Sequence, residues 1–162
     1  MLSSTIYYIS MAHIHEKIDW IVTAFILHPT EEKILMINHI KLGMWLPIGG
    51  HVELDEDPDQ ALAREIEEEC GLEVEMLNEK NEDTVDSKGL YRPHSLNVHA
   101  YNPTHQHIGL NYVARALTSE PRLAPEEHHG IRWFTREEIE ATDLVMPENV
   151  RQTAFEVFDL YV

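Results

Sequence analysis

Cysteine is almost missing from this chain of 162 residues, where Cys70 stands alone. No intrachain disulfide can form, and a secreted fold stapled by disulfides finds no support. Basic residues are scarce as well: 12 Lys and Arg face 29 Asp and Glu, for a formal net charge of −17. Such a balance repels a phosphate backbone, so a DNA or RNA duplex is not an expected partner. A small phosphorylated ligand stays open, because a bound divalent cation reverses the sign locally. Long hydrophobic runs are lacking, and none nears the roughly 20 residues that span a bilayer, so no membrane partner is expected. The start, MLSSTIYYISMAHIH, has no basic n-region and no sustained apolar stretch. It does not read as a signal peptide, and a cytoplasmic protein is the expectation. Met11 is an alternative start that would make the first ten residues dispensable.

What is present suits an ordinary globular chain: 43% apolar residues, seven glycines and eight prolines. The length fits one domain with a real core, expected over 18–162 behind an N-terminal extension at 1–17. DWIVTAFIL (19–27) and KILMINHI (33–40) predict a hairpin around the polar turn HPTEEK. KLGMWLPIGG, with Gly43, Pro47, Gly49 and Gly50, reads as irregular. LEVEML, HSLNVHAY, IGLNYVARAL and IRWF predict further strands, with HQH (105–107) and HH (128–129) in loops. A helix capped by Thr135 and Glu138 follows through Ala141, and a last one runs from Pro147 towards Tyr161. Strands outnumber helices without regular alternation, so an α+β fold with a sheet flanked by helices is expected rather than a parallel doubly wound one. No internal repeat or low-complexity tract is visible.

The most unusual stretch is GGHVELDEDPDQALAREIEEECGL, with nine acids between Glu53 and Glu69 against Arg64 alone. Asp57 as N-cap, Pro58 at the first position, Gln60 as capping-box partner and Gly71 past the end predict a helix over 58–70. At about 100° per residue, Glu65, Glu68 and Glu69 share an arc of about 100°. Leu62, Ala63, Ile66 and Cys70 form the adjoining apolar face, Glu67 points away, and Arg64 can orient Glu68. A solvated acidic face is the ordinary meaning of a charge run. Against it, acids in a last helical turn meet the negative end of the dipole at about 0.3–1 kcal/mol each. A hard cation such as Mg²⁺ removes that conflict. A calcium loop on Asp55, Asp57 and Asp59 fails, since Gln60 and Ile66 stand where Gly and Glu are required.

Gly50, Glu56 and REIEEECGL (64–72) together resemble the full Nudix box, GX5EX7REUXEEXGU, at every fixed position. The resemblance implies the Nudix fold, a mixed sheet sandwiched between helices, and hydrolysis of a nucleoside diphosphate linked to another moiety, a nucleoside triphosphate among the options. It implies Mg²⁺, or Mn²⁺, held by Glu68, Glu69 and the Gly49 carbonyl. Glu65 would be the general base or a third metal ligand, and Arg64 and Glu56 would brace loop and helix. A further metal-binding acid is expected from the loop before IRWF, with Glu127 first and Glu126 second. LPIGG departs from the common PGG by the intervening Ile48. His51, at a variable position of the box, reads as a surface or loop histidine. The expected partner is a small nucleotide-type substrate; no residue is assigned to its selection, and a homodimer stays open. A catalytically inactive binding or regulatory module on the same fold is the alternative, disfavoured because no box acid is missing. An isomerase of isopentenyl diphosphate would need a catalytic cysteine outside the box, and Cys70 lies within it.

Overall fold

The apolar run β1 (Ile18–Leu27) is the axis of the computed structural model, which describes residues 15–141 and 143–162. Met11 and most of the 1–17 extension therefore lie outside the described residues. β1 forms a hairpin with β2 (Ile34–His39), as expected, joined at Leu27 and Ile34. Its other edge runs parallel to β7 (His105–Ala116) over its full length. β3 (Met44–Leu46) and β8 (His128–Phe134) extend the sheet beyond β2. β5 (Val74–Met76) and β6 (Ser95–Asn102) pair with β7, and β4 (Ile48–His51) pairs with β1.

Strand pleating divides β1 between two cores. Val22, Ala24 and Ile26, with Leu110 and Tyr112, pack on Ala61, Leu62 and Ile66 of helix α1 (Pro58–Glu69). Phe25 and Leu27, with Val113, pack on Ile139 of α2 (Arg136–Glu140) and on Ala154, Val157 and Phe158 of α3 (Glu148–Tyr161). Burial on both faces is why β1 reads as a continuous apolar run rather than an alternating one. The result is the expected α+β sandwich of a mixed sheet between helices. No helix among the described residues is long and apolar enough to cross a membrane.

Four expectations are corrected. Residues 41–50 are not irregular but carry β3 and β4, separated by Pro47, which has no N–H to give to a ladder. Gly49 is a strand residue because β4 lies so close to β1 that a Cβ there would overlap the Val22 carbonyl oxygen. HQH and HH are strand residues too, opening β7 and β8, and His105, His107 and His128 are buried. His51 likewise lies in a strand, closing β4, rather than in a loop. Their polarity conceals the strands, because these imidazoles are buried against polar and aromatic groups rather than in apolar packing. Ala63 is exposed, and the buried face of α1 is instead Ala61, Leu62, Glu65, Ile66 and Glu69. The helix docks over Gly50, and the room left by its missing side chain admits the Glu65 carboxylate.

The termini of α1 follow the expected chemistry. Gln60 N–H donates to the Asp57 carboxylate at 3.0 Å, and Asp57 N–H to the Gln60 side chain at 2.9 Å. Lys88 holds the other Asp57 oxygen at 2.6 Å. Gly71 turns out at φ +60° and donates to the Ile66 carbonyl at 2.9 Å, a conformation that favours glycine. Replacing Asp57 by Ala should lower the unfolding free energy by about 1 kcal/mol, read as a shifted midpoint in chemical denaturation. An unchanged midpoint would show that this cap contributes nothing.

Candidate active site

The candidate site lies where β4 passes under α1. Gly50 has no side chain, and a Cβ there would overlap the Glu65 carboxylate, so the glycine is what lets Glu65 lie flat against the strand. One turn on, Glu69 reaches back to the same strand and accepts from the Gly49 N–H at 2.8 Å. Both carboxylates are buried. Glu68 points outward at 56% exposure, and Glu67 leaves the group altogether to meet Arg122.

Arg64 ties these parts together. Its Nε and Nη2 hold the two oxygens of Glu56 at 3.1 and 2.6 Å. Nη2 also donates to the His51 carbonyl at 2.9 Å, while Nη1 donates to Glu65 at 2.7 Å and Glu68 at 3.1 Å. A guanidinium has five N–H donors, and the five contacts match them in number. Hydrogen bonding from Arg64 holds the Glu56 carboxyl below its ordinary range, so Glu56 stays ionised as the other half of the fork. Glu56 also accepts from the Glu53 N–H at 2.9 Å, which fixes the loop between strand and helix.

Glu65 has the opposite balance. Burial dominates and the Glu69 and Glu68 charges add to it, so its carboxyl is pushed up to about 7 despite the hydrogen bond from Arg64. Burial likewise raises Glu69, against the bonds it receives from His128 and Gly49. The site thus concentrates carboxylate beyond what its own cations neutralise, and most of the donors are hard oxygens, with one imidazole, His128, beside them. That is the chemistry of a divalent cation site, and these residues fit such an ion.

His128 is the residue that sequence reasoning missed. It is fully buried, and its Nε2 lies 3.0 Å from Glu69 Oε1. Glu127, Glu69 and His128 bring their ligand atoms within 4.8 Å of one another, so Glu127 stands beside Glu69 of the box. The HH dipeptide beside Glu127 was the available signal, hidden by being read as loop. Gly49, Glu56, Arg64, Glu65, Glu68, Glu69 and Glu127 are accordingly brought to one region, in two ranks served by Arg64 and by His128. Arg122 was a second omission. It donates to the Glu67 carbonyl at 2.9 Å and its carboxylate at 3.1 Å, placing a cation at the end of α1 where the acids oppose the dipole. Trp45 packs edge-on against Phe134. Cys70 is buried and its thiol is pushed up to about 11 by that burial, which makes it inert.

Comparison with known proteins agrees with this geometry. The NUDIX domain family model matches residues 19–159. A NUDIX-family hydrolase from Clostridium perfringens superposes with a TM-score of 0.73 at 28% identity, over 89% of this chain and 98% of the other. A MutT protein from Methanosarcina mazei has a TM-score of 0.66 at 20% identity, over 91% and 96%, and shares the fold. Among curated proteins, the NAD-capped RNA hydrolase NUDT12 of Homo sapiens is 26% identical over 127 residues, 77% of this chain. The chain spans about a quarter of the length of that relative, 24%.

Replacing Arg64 by Lys keeps the charge but offers one ammonium to acceptors spread over four residues. Arg64→Lys should cost roughly 2–3 kcal/mol of stability in chemical denaturation, since hydrogen bonds to charged groups contribute about 1.5–3 kcal/mol each. A loss below about 0.5 kcal/mol would show that the fork does not hold the loop to the helix.

Proposed function

The chain belongs to the NUDIX domain family, and on that premise we propose that it hydrolyses a diphosphate linkage in a nucleoside diphosphate joined to another moiety, using Mg²⁺ or Mn²⁺. The observation that carries this reading is the convergence of Glu65 and Glu69 on β4, with Glu68 beside them on Arg64 and His128 fixing Glu69 from the other side. Glu68, Glu69, the Gly49 carbonyl and Glu127 are the residues that would hold the cation. When bound, such an ion supplies neutralisation of the diphosphate charge and acidification of the attacking water.

The remaining work falls to the protein's own groups. Glu65 is assigned the role of general base: it is buried, oriented by Arg64, and its raised proton affinity suits acceptance of a proton near neutral pH. His128 donates from Nε2 to Glu69, which fixes that carboxylate's rotamer and leaves its remaining lone pairs for a cation. Arg64 and Glu56 keep the 51–57 loop at a fixed distance from the helix. An inactive binding module would have no use for a complete set of acids held at this desolvation cost. Among substrates, a net charge of −17 favours small nucleotides over a long RNA. A dinucleotide such as NADH shares the diphosphate bridge, and the named activity of the human relative places it and an NAD-capped oligonucleotide in the substrate panel.

The test is a substrate screen on chelator-stripped protein with Mg²⁺ or Mn²⁺ restored, covering nucleoside triphosphates, dinucleoside polyphosphates, nucleotide sugars, ADP-ribose, NADH and the capped oligonucleotide. Turnover should require the added metal. Glu65→Gln should lower kcat by about 10²–10⁴-fold, the usual contribution of a general base, with metal affinity largely kept. Glu69→Gln should lose both metal affinity and turnover. Full turnover in both variants would end this assignment. His128→Ala should weaken metal affinity by about 10–100-fold, measured by titration calorimetry, as loss of a partner behind a metal ligand does.

A further inference from the structure

A second group of ligand side chains lies on the face of the sheet opposite α1. β1 and β7 run parallel with Asp19 opposite His107, and His105 and His107 are two residues apart, so pleating turns all three to one side. They share the odd-numbered face of Phe25, Leu27 and Val113, beyond the region covered by α3. All three are buried, with Asp19 at 1% exposure, His105 at 4% and His107 at 7%. One ligand atom from each lies within 4.8 Å of the others. His51, at the end of β4, puts its Nε2 3.7 Å from the same Asp19 oxygen that His105 Nε2 approaches at 3.3 Å. The His51 and His107 rings stand edge to face with centroids 5.1 Å apart.

We propose that Asp19, His105 and His107 form a zinc site separate from the acidic site of the Nudix box, with His51, beside Asp19, as the nearest further donor. Donor chemistry favours zinc over the Mg²⁺ of the box, because imidazole nitrogen suits Zn²⁺ and Mg²⁺ demands oxygen. The spacing is also suitable: tetrahedral bonds of about 2.0–2.1 Å place neighbouring ligand atoms roughly 3.3 Å apart. The outer partners are those that orient ligands. His105 Nδ1 lies 3.1 Å from the Glu16 carbonyl, which takes a proton on Nδ1 and leaves the Nε2 lone pair facing Asp19. Asp19 Oδ1 accepts from the His15 N–H at 2.6 Å, leaving Oδ2 turned to His105 and His51. Three protein donors, two of them imidazoles, gather about one point, and His51 stands next to the carboxylate. Such an ion would fasten the start of β1 to the start of β7 and to the end of β4.

The experiment uses the full chain stripped of metal, titrated with Co²⁺ as a spectroscopic reporter and then with Zn²⁺. Wild type and the double variant Glu68→Gln, Glu69→Gln, which disables the box, should both show the visible absorption of tetrahedral Co²⁺, displaced by one equivalent of Zn²⁺. His107→Ala should lose that absorption while circular dichroism shows a folded chain, and His51→Ala should weaken Zn²⁺ binding by at least about tenfold. Zn²⁺ should also raise the Tm of the box variant. The proposal is overturned if the box variant takes up no Zn²⁺, which would mark Asp19 and its histidines as a hydrogen-bonded network. It is equally overturned if His107→Ala binds as wild type does. The box variant keeps the cluster intact, so its Zn²⁺ uptake decides the matter even if His107→Ala does not fold, and it is read without any assay of hydrolysis.

Discussion

The Arg64 guanidinium is the constraint on which the acidic face depends. Helix α1 is driven onto the sheet by Ala61, Leu62 and Ile66, where a fully buried leucine or isoleucine contributes roughly 1.5–3 kcal/mol. The same docking forces Glu65 and Glu69 out of water, because they share that face of the helix. Apolar packing and carboxylate desolvation are therefore one event, and the helix cannot gain the first without incurring the second. Arg64 makes the combination tolerable by meeting Glu65 and Glu68 from one side while Glu56 and the His51 carbonyl anchor it from the other. It does not complete the neutralisation, as the raised Glu65 and Glu69 carboxyls show. A site that fully satisfied its own acids would have nothing left with which to attract a cation.

The far end of α1 shows how the fold accommodates the remaining cost. Three consecutive glutamates in a last helical turn oppose the macrodipole. Gly71 ends the helix in the left-handed region and leaves room for the Arg122 guanidinium, which a Cβ at that position would crowd at 2.8 Å. Arg122 then meets Glu67, the acid with no place in the site. Glu69 is served by His128 instead, from a strand distant in sequence but adjacent in space. Each of the three acids thus has its own arrangement: outward with Arg64 for Glu68, outward with Arg122 for Glu67, inward with His128 for Glu69.

Legibility in the sequence followed the range of the interactions. The caps of α1 and α2 were readable because Asp57 with Gln60 and Thr135 with Glu138 act over three residues. The hairpin and the two-faced β1 were readable from their apolar content. The box acids were readable because one helix fixes their spacing. His128, Arg122 and the Asp19 cluster were not, since each depends on a pairing across at least 55 residues or on strand register. Ala63 was misjudged for a related reason. Angular position on a helix says which residues share a face, but the neighbour decides which face is inside, and Gly50 on β4 turned that choice towards Glu65.

β4 is where these separate features meet. Its pleat sends Gly50 towards Glu65 and the next residue, His51, to the opposite face beside Asp19 and His107. The His51 backbone remains on the side of the box, where its carbonyl accepts from Arg64. One residue therefore belongs to the Arg64 fork through its main chain and to the histidine cluster through its side chain. Strands are stiff over so short a span, and the four antiparallel pairs from Ile48 to His51 fix β4 against β1. The His51 side chain and the carbonyl that Arg64 holds therefore sit on one short, paired segment. The strand that lies under the box carboxylates thus also carries a side chain of the cluster on its reverse face, so the two groups share one backbone segment.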